Sequence, residues 1–467
     1  MKRFFSLLLV AVLGLTLAAC KPENEQELFD YDIITELPED ETVEITVWHS
    51  FGTELANLIQ GYIDDFEEAN PNIKVNFKQE AGNYTELRKK VVNNIVTGST
   101  PTLVFTYPDH VAAYLDGNAV LALDPFINNE KVGLSQEELD DFVDSYLEEN
   151  KQTGHYMGLP FNKSTEVFIY NKTYFDKNEG KEGFENLTNL YTKIKNNELF
   201  TWDDVAKASE DILKAHEGDA NYDKIYPFAY DSNANLFITW LRQHGLQYTN
   251  SKGEILFANQ DAANALEKWR QYNANHLFAL PIQWEENYAS TPFTGEQVFM
   301  TVGSSAGVRY NIPKDEEGNI LWEIGIAPIP QQSEEHKAVI QQGTNITLMA
   351  NTTDEERLAA WLLIKHLTST EVTVDWSMNS GYLPVRKSAY ESEDYQDFLQ
   401  NPEEDLKYIS ETARAAYRQT EYMFFDPAFS TSAAVRDQAD AAMQTIVYNK
   451  DKNVLEILQE AVAALEW

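Results

Sequence analysis

Val43-Glu44-Ile45-Thr46-Val47-Trp48 alternates apolar and polar side chains, the period of a half-buried strand. After it, Glu54 to Ala69 has helical spacing and stops at Asn70-Pro71-Asn72, and Ile73 to Phe77 is a second strand. Tyr84 to Thr97 reads as a helix closed by Gly98, Thr102 to Thr106 as a third strand, and Val111 to Asp116 as a short helix. Strand and helix alternating at these spacings predict an α/β domain with a mainly parallel sheet. Further helices open on capping patterns at Ser135-Gln136-Glu137-Glu138, Thr201-Trp202-Asp203-Asp204 and Thr353-Asp354-Glu355-Glu356. Beyond Glu371 the chain reads as mostly helical, with no internal repeat and no low-complexity tract.

The residues ahead of this strand bear on location. Lys2 and Arg3 precede a 14-residue apolar run, Phe4 to Leu17, too short to span a bilayer comfortably and laid out as a secretory signal over residues 1–19. The run ends in Leu17-Ala18-Ala19-Cys20, which resembles a bacterial lipobox and implies lipidation of Cys20, the single cysteine of the chain. No internal disulfide can form, and the expected location is extracytoplasmic, tied by lipid to the bacterial cell membrane. Residues 20–41 are acidic, with nine Asp and Glu between Lys21 and Glu41, and read as a solvated tether. Without residues 1–19 the chain keeps 448 residues, which predicts two or three domains. Its formal charge of −39 argues against nucleic acid or an anionic lipid surface as partner.

Several motifs, in order and spacing, carry a resemblance. They are Ile45-Thr46-Val47-Trp48-His49, then Phe66 to Val75, Gly158-Leu159-Pro160-Phe161-Asn162, Tyr170-Asn171-Lys172 and Gly381-Tyr382-Leu383-Pro384-Val385. The chain from Val43 to Trp467 resembles the extracellular solute-binding proteins of bacterial ABC importers, the class that includes maltose-binding protein. The resemblance implies a two-lobed periplasmic-binding-protein fold, each lobe a mainly parallel sheet flanked by helices. Residues 42–159 with 326–367 would form lobe 1, and 160–325 with 368–467 lobe 2, with crossings near Pro160, Ile326 and Leu367. It further implies a monomer that binds a small molecule between the lobes and docks on permease subunits served by a separate ATPase. No cofactor is implied.

Within the family, the local motifs look most like those of the sn-glycerol-3-phosphate-binding proteins. On that resemblance Tyr84, after Gly82-Asn83, Ser164 in Phe161-Asn162-Lys163-Ser164-Thr165, and Ser304 and Ser305 after Phe299 would contact ligand. Gly343, Tyr382 and Arg436 would join them, and Trp240 would supply an aromatic face. These residue types suit such a ligand, because arginine offers a bidentate fork to phosphate, hydroxyls add neutral donors, and an aromatic face covers the carbon skeleton. One departure is Tyr107-Pro108-Asp109, with proline where that group has an acid reading the glycerol hydroxyls; Asp109 can substitute only if the backbone shifts by one residue.

Two other functions compete. A mono- or oligosaccharide would suit the nine Trp and 24 Tyr and would make Arg436 dispensable. Gly303-Ser304-Ser305-Ala306-Gly307 satisfies G-x-S-x-G, so an esterase would use Ser305 with Asp354 and His366, although the segment after it is too short for the helix a nucleophile elbow feeds. The eight histidines are scattered without metal-ligand spacing, and no phosphate-cradling G-x-x-x-x-G-K-[ST] is present.

Overall fold

The computed structural model describes residues 28–38 and 40–465. The expected signal peptide and Cys20 lie outside them. Twelve strands occur among the described residues: β1 (Val43–His49), β2 (Ile73–Gln79), β3 (Leu103–Thr106), β4 (Lys151–Gln152), β5 (His155–Tyr156) and β6 (Leu159–Asn171). They continue with β7 (Phe228–Tyr230), β8 (Phe278–Ala279), β9 (Met300–Ser304), β10 (Ile324–Ala327), β11 (Val339–Leu348) and β12 (Met423–Phe424). The large sheet runs β2-β1-β3-β11-β6-β9-β7-β8, with β10 also on β6 and β12 on β11.

The sheet has two parallel ends and an antiparallel middle. β1 runs parallel to β2 and β3, and β7 runs parallel to β8 and β9. Each set builds one lobe with its flanking helices. One core gathers Ile45, Val47, Ile59, Ile63, Phe105 and Trp361; the other gathers Phe168, Trp202, Phe228, Trp269 and Met443. β6 and β11 are the strands that cross between them. β6 pairs with β11 through Thr165 and with β9 from Glu166 onward, while β11 continues from β6 onto β3.

This register moves two of the expected boundaries. β10 pairs with the far half of β6, at Phe168 to Asn171, so the crossing expected near Ile326 falls within β11 instead. After Leu367 the chain also stays on the first lobe, where Arg386 Nη1 donates to the Glu138 carbonyl at 2.9 Å and Lys387 pairs with Asp144 at 2.8 Å.

The segment expected as a solvated tether is in part a packed arm. Leu28 is fully buried in the first lobe and its carbonyl accepts from Ala122 N–H at 2.8 Å. Tyr31 donates to the Ala122 carbonyl at 2.7 Å, and Ile33, Ile34 and Leu37 pack on the same core. Full burial of a side chain such as Leu28 gives about 1.5–3 kcal/mol, and the half-buried Ile33, Ile34 and Leu37 add a smaller share each. Among the described residues no helix is long and apolar enough to cross a membrane.

Candidate functional site

Strand carboxyl ends and helix starts of both lobes converge on a cleft of about 1060 Å³. From the first lobe, Gly82-Asn83 leads into the helix Tyr84–Thr97, whose first turn is fixed by Asn83 Oδ1 accepting from Glu86 N–H at 2.9 Å. Tyr107 follows β3 and precedes Pro108, which opens the helix Pro108–Leu115 and places Asp109 in its first turn. From the second lobe, Asp231 follows β7, and Ser232 caps the helix Asn233–Gln243 by accepting from Asn235 N–H at 3.2 Å. The helix Ser432–Tyr448 adds Arg436, Asp437 and Asp440.

Five of the sequence-selected residues line this space together: Tyr84, Asp109, Ser304, Gly343 and Arg436. Tyr84 meets Tyr107 edge to face at 5.2 Å, and its hydroxyl lies 3.5 Å from Asn162 Nδ2. Tyr382 stands beside them, stacked on Trp376 at 5.5 Å. Ser164 and Ser305 are buried just behind the wall. Ser164 Oγ is 3.5 Å from Ser304 Oγ, and Ser305 Oγ accepts from Thr165 N–H at 3.4 Å.

Trp240 is a correction. It is 1% exposed, packs against Trp202 and Trp269, and donates its indole N–H to the Ala265 carbonyl at 2.8 Å. Its neighbour Ile238, on another face of the same helix, lines the cleft instead. The esterase triad does not assemble either. His366 Nε2 lies 2.9 Å from the Tyr62 carbonyl, Asp354 pairs with Arg357, and Ser305–Asn311 forms a 3₁₀ turn in place of a long α-helix. Gly303 has a packing reason: a Cβ there would stand 2.5 Å from Asp231 Oδ2.

The electrostatics centre on a chain of bonds that sequence reading missed. Arg436 donates to Asn235 Oδ1, Asn235 Nδ2 donates to Glu166 Oε1 at 2.9 Å, and Tyr230 donates to Glu166 Oε2. Burial pushes Glu166 up to about 7, and pushes Asp231 and Asp426 up to about 6. Burial raises Asp440 as well. Across the mouth, Arg88 of the first lobe pairs with Asp437 of the second at 2.9 Å. Lys163 is fully buried in β6 and pairs with Glu149, which also accepts from Gln341 and from Asn345 at 3.2 Å; this network ties the two crossing strands.

The family described as bacterial extracellular solute-binding protein matches residues 61–403. The chain belongs to that family. Among curated relatives of this solute-binding protein, the sn-glycerol-3-phosphate-binding periplasmic protein UgpB of Escherichia coli (strain K12) is 21% identical over 374 residues, covering 77% of this chain and 78% of that protein. Of solved structures, UgpB from Mycobacterium tuberculosis in complex with glycerophosphocholine superposes with a TM-score of 0.71 at 17% identity, covering 91% of this chain and 98% of the other. Maltose-bound MalE3 of T. maritima gives a TM-score of 0.71 at 16% identity, covering 91% and 99%. The likeness to both establishes the two-lobed fold of this solute-binding protein.

Proposed function

We propose that the protein captures sn-glycerol 3-phosphate or a glycerophosphodiester in the interlobe cleft and delivers it to the permease of an ABC importer driven by a separate ATPase. The observation that carries the ligand is the Arg436 guanidinium on the cleft wall, set by Asn235, with Tyr84 and Tyr107 on the opposite lobe. A phosphate has several acceptor oxygens, and an arginine fork held in place by a second side chain meets them at low entropic cost. Ligand contact with both lobes at once is what favours closure. Lipid attachment through Cys20 and a monomeric, non-catalytic working form belong to the same proposed role.

A saccharide is the second reading, favoured by the tyrosines and carboxylates that line the same space. Thermal unfolding with sn-glycerol 3-phosphate, glycerophosphocholine, maltose and inorganic phosphate separates the two. A native-state ligand at about 100 times its Kd adds roughly 2.7 kcal/mol. Arg436→Ala is expected to weaken a glycerophosphate ligand about a hundredfold, the loss of a charge-assisted pair. Stabilisation by sugars alone, untouched by that substitution, would remove phosphate recognition and leave the transport role.

A further inference from the structure

Acidic side chains outnumber cations along the cleft. Asp109, Glu166, Asp231, Asp426 and Asp440 line it, whereas Arg436 makes no ion pair among the described residues and Arg88 is held by Asp437. Lys89 and Glu86 stand exposed at the rim, where solvent and salt screen them. The Asp426 carboxylate has no hydrogen-bond partner among the described residues; its charged neighbours are Arg436, Arg242 and a second acid, Asp109. Tyr248 lines the same cleft, is 7% exposed, and has a buried hydroxyl with no partner among the described residues; Asp426, Arg436 and Asp109 are among the charges that act on it. Thr249 Oγ1, on the same wall, is also without a partner.

A phosphate bound to Arg436 leaves these acids to be matched by the rest of the ligand. A cation satisfies the acids, and an unfilled hydroxyl oxygen accepts from an ammonium N–H or lies against a methylated one. Resting on the reading of this cleft as the ligand site, we propose that Asp426, Asp109 and Tyr248 form a cation subsite, and that the ligand carries an ammonium group there while its remaining polar atoms face Arg436. Burial has already lifted Asp426 to about 6, and a bound cation offsets that by favouring the ionised carboxylate. Two sources share this chemistry: the quaternary ammonium of a glycerophosphodiester and the protonated amine of an amino sugar.

Matched pairs distinguish them. Calorimetric titration of the full-length chain, and of Asp426→Asn, would compare glycerophosphocholine with sn-glycerol 3-phosphate, and glucosamine with glucose. The cationic member of one pair is expected to bind at least about tenfold more tightly, and Asp426→Asn to abolish that preference, as loss of a charge-assisted contact would. The responding pair names the source. Equal or tighter binding of the uncharged or anionic member overturns the cation subsite and leaves the transport role standing. A preference that survives in Asp426→Asn removes Asp426 from it and overturns the assignment. Heat from no compound in the panel would overturn both this subsite and the glycerophosphate reading.

Discussion

Glu166 is fully buried, with its two oxygens held by Tyr230 and Asn235, and its pKa stands near 7 against an ordinary 4.5. The folded chain keeps a proton that the unfolded chain releases. That contribution is fully present below about 4.5 and is lost as pH rises through about 7. Glu166→Gln, a stand-in for the protonated acid, should therefore gain on the wild type between about pH 5 and about pH 8, by something on the order of 3 kcal/mol. The difference between their Tm values is the quantity to follow, because burial depresses His49 and His110 and these act with the opposite sign on each curve alone. A difference flat with pH would reject the titration. At this scale the sequence was partly legible. Tyr84 and Arg436 stand in motifs that mark the cleft, but Trp240 does not, because a helix with apolar residues on several faces hides which face meets the core. Asp426 and Tyr248 carry no local signal, since their meaning comes from each other and from Asp109, hundreds of residues earlier in the chain.

β11 shows what one element demands of its sequence. Gly343 has φ +99°, and a Cβ there would lie 1.9 Å from the Asn162 carbonyl oxygen on β6. Gly343→Ala combines a left-handed backbone strain with a backbone collision, so a loss of about 3 kcal/mol or more is expected in thermal or urea unfolding. A variant melting within about 1 °C of wild type would show that the two crossing strands separate freely there. Helix starts were the readable part: the capping patterns at Ser135, Thr201 and Thr353 each form a capping box in the structure. Gly98 closes the helix Tyr84–Thr97 in the left-handed conformation that its position predicted. The crossings were not readable to the residue. β6 is buried along all of its 13 residues, so its pattern is uniform while its partner changes from β11 to β9 midway. Only pairing with distant strands marks the point.

At the scale of the whole molecule, the Arg88–Asp437 pair joins the lobes across the mouth of the cleft. Asp437 is half exposed, which limits the pair to about 0.2–1 kcal/mol. Arg88→Ala should release ligand up to about fivefold faster, as read by stopped-flow tryptophan fluorescence, and about 0.5 M salt should erase the difference. Equal release rates at low salt would show that the pair does not bias closure. The two-lobed plan was legible because its motifs recur in order along most of the chain. The arm from Leu28 to Leu37 was not, because acids alternate with the apolar residues that dock it. That arm decides how the protein carries mechanical load. Tension on the chain ahead of Leu28 is taken up by its buried side chain, by the Ala122 N–H and by the β1–β3 sheet behind them. These contacts lie on the first lobe, so a pull from the N-terminal side enters the protein through one jaw.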